Sequence, residues 1–175
     1  MARPVDLERR RLLLDAAVDY VIEHGLSGLS LRPLATALGT DAPVLLHHFG
    51  TKEDLVVAVL NGVRRRLRAQ AEVHTGAAAE IAAVWRWSAD PGHDALFRTF
   101  FEAYGMALHR PDRYTDFLQH VVVDWLDQLQ PELGAARATL ALAAVRGLLL
   151  DLLTTGDRER VEDAAELLTG WLDHP

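Results

Sequence analysis

Cysteine is absent from the 175 residues. Its absence excludes a disulfide framework, a thiolate-ligated metal and a cysteine nucleophile, and fits a reducing cytoplasm. Long hydrophobic runs are also missing: no stretch approaches the roughly 18 uncharged apolar residues of a membrane span. The N-terminal MARPVDLERRRLLLDAAV has no uninterrupted apolar segment with a cleavage site. The chain therefore reads as soluble, cytoplasmic and without a membrane partner. No glycine-rich phosphate loop, GxSxG elbow or HExxH pair occurs. A small helical enzyme has no candidate site here, and no catalytic residue or cofactor is expected. Convincing strands, internal repeats and low-complexity tails are lacking as well.

Positive charge is scarce where a nucleic-acid partner would want it. The net charge is −7, and residues 1–55 hold six basic against eight acidic side chains. Residues 1–75 hold ten against nine, so most of the negative balance falls in the remainder. Half of the composition is apolar, which suits a globular protein long enough for a small domain attached to a larger one.

The most informative stretch is SLRPLATALGTDAPVLLHHFGTK, from Ser30 to Lys52. Ser30 is an N-cap for a short helix with Leu31, Leu34, Ala35 and Leu38 at helical spacing, and Gly39 ends it. After Thr40, Asp41 is a second N-cap, and Pro43 falls in a first turn where a missing N–H costs little. Val44, Leu45 and Phe49 point inward from this second helix, and Gly50 stops it. Thr51–Asp54 then has the spacing of a capping box for a third helix. Two short helices joined by a tight glycine-containing turn form a helix-turn-helix, whose second helix enters the major groove.

Leu31-Arg32, Leu34-Ala35, Gly39, Leu45, His47-His48-Phe49-Gly50 and Thr51-Lys52-Glu53-Asp54-Leu55 fall as in the tetracycline-repressor (TetR) family, which this chain resembles from about Arg10 to Leu60. Beyond Leu60 the likeness is one of helix count and size. The resemblance implies an all-α protein of about nine helices, with a DNA-binding head over 1–51 and an effector-binding, dimerising domain over 52–175. It implies a homodimeric regulator, most often a repressor, on a palindromic operator. The reading helix departs from the family pattern at Asp41, Ala42, Pro43 and Leu46, and no basic residue lies between Thr40 and Phe49. Backbone contacts would come from Arg3, Arg9, Arg10, Arg11, Thr51 and Lys52. Base contacts would come from Thr40, Pro43, Val44 and His47, favouring thymine methyls over bidentate guanine recognition, and Ser30, Arg32, Asp41 and Leu46 complete the DNA-binding candidates. A head that no longer reads DNA, on a small-molecule or protein-binding module, is the competing reading; the charge and Asp41 motivate it.

Around this stretch the apolar pattern lays out the other helices. The first runs from Asp6 to His24, with Leu12, Leu13, Ala16, Ala17, Tyr20 and Val21 inward. The third continuation runs from Lys52 to about His74, and its Arg64-Arg65-Arg66 and Arg68 read as a solvated charge run. Helices follow over Ala77–Ala89, His93–Arg110, with Glu102 opposite the apolar stripe that includes Leu108, and Tyr114–Gln130, closed by Pro131. A nearly all-apolar helix from Glu132 to Thr155 should be covered on more than one side, and Arg158–Asp173 completes the chain. Trp85, Phe97, Phe100, Phe101, Tyr104, Phe117, Val121 and Trp125 concentrate in the middle helices. By the resemblance they line a pocket for a small, apolar, mostly uncharged effector. Leu148, Leu149, Leu152, Leu153, Leu168, Trp171 and Leu172 offer more apolar surface than one bundle hides, and so a dimer interface. Asp116, His120 and Asp124 share a helix face with Asp127, which reads as the solvent side and not as a metal site. His47 and His48 diverge around their helix and cannot form one two-ligand site.

Overall fold

The computed structural model describes residues 6–27, 29–69 and 76–173. Among them the structure is helical, with no strand: α1 (Leu7–His24), α2 (Leu31–Ala37), α3 (Ala42–Phe49), α4 (Lys52–Ala69), α5 (Ala77–Ser88), α6 (Asp94–His109), α7 (Thr115–Thr155) and α8 (Arg158–Asp173), with a 3-10 turn at Pro91–His93. Arg3 and the expected extension of α4 to His74 lie outside the described residues.

Two compact units are present, one of Met1–Arg66 with Arg98–Leu118 and the other of Leu67–Phe97 with Gln119–Pro175. In the first, Asp6 caps α1 by accepting the Arg9 N–H at 3.0 Å. The core holds Leu13, Leu14, Ala17, Val18 and Val21 of α1 with Leu34, Leu45, Leu55, Val59, Leu60 and Val63. The buried face of α1 is turned from the expected one: Leu12 is 55% exposed, and Leu14 and Val18 are inside. The run Leu12-Leu13-Leu14 fits more than one helical phase, and only the partners choose. The arginines of α4 are not simply a solvated run either. Arg66 forms a salt bridge with Asp19, and in the second unit the Arg68 guanidinium lies 5.0 Å from the centre of the Trp125 ring.

In the second unit α7 is two helical arms meeting at Gly134, whose φ of 73° and ψ of 163° leave the helical region. Pro131 does not close the first arm. A proline removes one N–H, but the backbone departs at the nearby glycine, which has no Cβ to oppose a positive φ. Taken as two arms, α7 supplies both of the helices expected over this stretch. The second arm buries Ala138, Ala141, Leu142, Val145, Leu149 and Leu152 and leaves Leu140 and Leu150 more than half exposed. Within the chain it is covered on one side and not on several. By length and composition α7 contains a window apolar enough to cross a membrane. Its charges are used inside the protein: Arg146 donates to the Val121 carbonyl, and Asp151 pairs with Arg160 at 2.8 Å.

Helix α4 crosses α1 closely at Gly62, where an added Cβ would come within 2.5 Å of a Val18 methyl. Val18 is only 2% exposed and has little room to retreat. Gly62→Ala is therefore expected to destabilise the protein by about 1–2 kcal/mol, overpacking outweighing the better helix propensity of alanine. A chemical-denaturation midpoint equal to or above the parent's would show that this crossing has slack.

Candidate nucleic-acid interface

The helix-turn-helix is built from local signals and one distant brace. Leu34 and Leu45 are fully buried and Ala35 and Phe49 nearly so, which fixes the inward faces of α2 and α3. Ser30 and Asp41 occupy the N-cap positions with extended backbones, but neither side chain makes a cap hydrogen bond. The expected capping box is fully formed after α3. The Asp54 carboxylate accepts the Thr51 N–H at 2.9 Å, and the Thr51 hydroxyl accepts the Asp54 N–H at 3.1 Å. The Thr51 N–H, and after it the Thr51 hydroxyl, which donates to the same carboxylate at 2.7 Å, hold the Asp54 carboxyl below its usual range.

The outward side of α3 presents Pro43, Leu46 and His47, with Ala42 and Val44 half-buried; Asp41 just before it, and Thr51 and Lys52 just after, are exposed. Thr40 is half-buried, and Arg32 and Ser30 are exposed. Arg11 is held along one face of α1 by Glu8 at 2.8 Å and Asp15 at 3.1 Å. Arg10 turns instead to α3. Its Nε donates to the His48 carbonyl at 3.1 Å, and its guanidinium lies 5.0 Å from the centre of the Phe49 ring. A cation at the carbonyl end of a helix and over an aromatic face is doubly favourable. Arg10 is thus a brace of the reading helix.

The aromatic residues expected to hold an effector fall in both units. In the first, Phe100 meets Phe101 and Tyr104 edge-on at 5.3 and 5.9 Å, and Tyr104 meets Phe117 at 6.2 Å. In the second, Phe97 lies edge-on to Trp87 at 5.7 Å, Trp85 and Val121 are buried, and Trp125 carries Arg68. An open groove of about 430 Å³ between α5 and α8 is lined by Trp85, Arg86, Arg158, Glu162, Glu166 and Thr169, among others. Of the expected effector residues it contains Trp85 alone. Leu149, Leu152 and Leu172 are buried within the chain. Leu148, Leu153 and Leu168 are half-buried. Trp171 is 43% exposed, beneath the Arg137 guanidinium.

Three polar groups escaped the sequence reading. Glu80 is 6% exposed and accepts from Gln128. Glu102 accepts the backbone N–H groups of Leu26 and Ser27 at 2.8 and 2.5 Å. His48 is 8% exposed, and its Nδ1 has no hydrogen-bond partner among the described residues. Helical spacing could have flagged His48, which lies three residues after the fully buried Leu45.

Burial, followed by the charges of His47 and Arg9, pushes the His48 pKa down against the opposing charge of Asp6. The folded state therefore resists a proton that the unfolded chain accepts below about pH 6.5. The stabilising contribution is complete above that pH and is lost as pH falls through the lower folded value. Urea midpoints are expected to drop on acidification in this window, and His48→Gln should flatten that slope. Equal slopes for the two proteins would remove His48 from the linkage.

A family model described as bacterial regulatory proteins, tetR family, matches residues 13–59. Over 184 aligned residues the chain is 27% identical to the HTH-type transcriptional regulator BetI of Paraburkholderia phymatum, spanning 94% of this chain and 91% of that protein. The multidrug binding protein EbrR, solved with imidazole, matches at 27% identity and a TM-score of 0.74 over 97% of this chain and 98% of its own. A transcriptional regulator from Rhodococcus sp. Rha1 shares the fold at a TM-score of 0.77 and 22% identity, over 93% and 95% of the two chains. With the formed capping box and the braced reading helix, residues 13–59 carry the match to the tetR family of bacterial regulatory proteins, and over nearly its whole length the chain is similar to a helix-turn-helix transcriptional regulator.

Proposed function

We propose that the protein is a cytoplasmic, homodimeric repressor that leaves its operator when a small apolar effector binds against the aromatic residues of the middle helices. The observation that carries the DNA reading is the exposed Pro43–His47 side of α3, bounded by Lys52 at the start of a capped helix. Free N–H groups and the helix dipole at that start favour a phosphate. Pro43, Val44 and His47 offer methyl and ring contacts, which suits thymine-rich half-sites. The effector reading draws support from the ring cluster of Phe100, Phe101, Tyr104 and Phe117. The similar multidrug binding protein EbrR has been solved in complex with proflavin and with malachite green.

Lys52 is the chain's only lysine. An amine-selective acetylating reagent thus has one side-chain target, and a duplex selected from a random pool should protect it. Lys52→Ala should weaken all duplexes about equally and reduce the salt slope by about 0.9, one phosphate contact. Asp41→Asn should strengthen all of them, since that carboxylate makes no cap bond to lose. Full labelling of Lys52 in the presence of duplex, with both variants binding as the parent does, would favour the module that no longer reads DNA.

For the dimer, the surface left open by the fold lies beside the residues named from sequence. Ala136, Leu140, Ala143, Gly147 and Leu150 are exposed along the second arm of α7 at alternating spacings of four and three, the pattern of a helix–helix seam. Leu167 and Trp171 are exposed on α8. Leu150→Arg is expected to give a folded monomer by light scattering, whereas Leu149→Arg should unfold the chain. A Leu150→Arg protein of unchanged dimer mass would place the interface elsewhere.

A further inference from the structure

Between α1 and α2 the chain turns a corner that one residue far along the sequence holds in place. Gly25 adopts φ 80° and ψ 169°, a combination essentially confined to glycine. It is followed by two successive N–H groups, of Leu26 and Ser27, that both reach the carboxylate of Glu102, one to each oxygen, at 2.8 and 2.5 Å. Such paired amides form an anion-binding concavity, and their bonds to a carboxylate are charge-assisted. One turn earlier on α6, the Thr99 hydroxyl donates to the Val21 carbonyl at 3.4 Å. Helix α6 therefore holds the end of α1 and the corner after it.

The corner leads directly into the reading unit. Leu26 and Leu29 are each 6% exposed, and the Leu29 N–H bonds back to the Leu26 carbonyl at 3.0 Å. Because the Ser30 side chain makes no cap hydrogen bond, the start of α2 depends on this corner. We propose that Glu102 is a positioning residue for DNA binding, its carboxylate setting the α1–α2 corner from which α2 and α3 are placed. Phe101 and Tyr104 flank it on the same helix. On the effector reading above, a ligand that rotates α6 at these rings would withdraw the carboxylate and release the corner.

The test uses the full chain, its Glu102→Ala, Glu102→Gln and Gly25→Ala variants, and the duplex the parent selects from a random pool. Glu102→Ala is expected to bind that duplex about tenfold more weakly, the scale of a lost charge-assisted pair. Glu102→Gln keeps one acceptor and should fall between. Amide exchange at Leu26, Ser27 and the first turn of α2 should quicken in both. Gly25→Ala breaks the same corner, so adding it to Glu102→Ala should cost little more affinity than either change alone. A Glu102→Ala protein that melts earlier yet binds DNA with the parent's affinity would make Glu102 a staple of the fold only, and overturn the proposal. So would unchanged amide exchange. If the parent selects no duplex, the DNA reading fails, while the exchange rates still decide whether Glu102 holds the corner and α2.

Discussion

Free backbone amides are the constraint on which this structure turns. Helices α2 and α3 have seven and eight residues, too short to stand alone in water, and every bend between short helices leaves N–H groups with no helical acceptor. The chain meets the demand with carboxylates. Asp6 takes the Arg9 N–H, Asp54 that of Thr51, Asp90 that of Gly92, and Glu132 that of Ala77. Glu102 takes two. An acidic composition that looks unsuited to a DNA-binding protein is thus partly a set of helix and loop anchors.

The same use of charge shapes the field around the reading helix. Of the acids in the first 55 residues, Asp6 and Asp54 are held by backbone amides, Glu8 and Asp15 by Arg11, and Asp19 by Arg66. These pairings consume cations as well as anions, since Arg11 is shared between two carboxylates and Arg10 is drawn to α3. Lys52 stands out because it lies at a helix start, where the dipole adds to its charge.

What was legible in the sequence was what is local. The stops at Gly39 and Gly50, the capping box of Thr51 and Asp54 and the burial of Leu34, Ala35, Leu45 and Phe49 depend on residues within about one turn of each other and were readable. The caps at Ser30 and Asp41, by contrast, form no side-chain bond, and Val44 is only half-buried. The roles of Arg10 and Glu102 were not readable, because their partners lie far along the chain: 38 residues separate Arg10 from His48, and 76 separate Glu102 from Leu26. Periodicity assigned Glu102 to the open side of α6 because it knows only the helix's own stripe. The phase of α1 failed for a similar reason, three consecutive leucines giving no internal reason to prefer Leu12 or Leu14 for the core. At the break in α7, proline was the louder signal and glycine the operative one. For the dimer surface, apolar residues were counted without knowing that the chain's own core would take Leu149, Leu152 and Leu172.

The stretch that carries the family's signature, residues 13–59, is not the whole of the unit it belongs to, since that unit also takes in Arg98–Leu118. The head is therefore not freely interchangeable. Grafted onto another regulator's effector helices, it would bring the bend at Gly25 without the acid that fills it, leaving two amides facing whatever side chain happened to stand there. Over evolutionary time, position 102 and the loop at 25–27 are bound to change together. A lineage that replaced the glutamate would have to rebuild the bend, and one that shortened the bend would free the glutamate to drift.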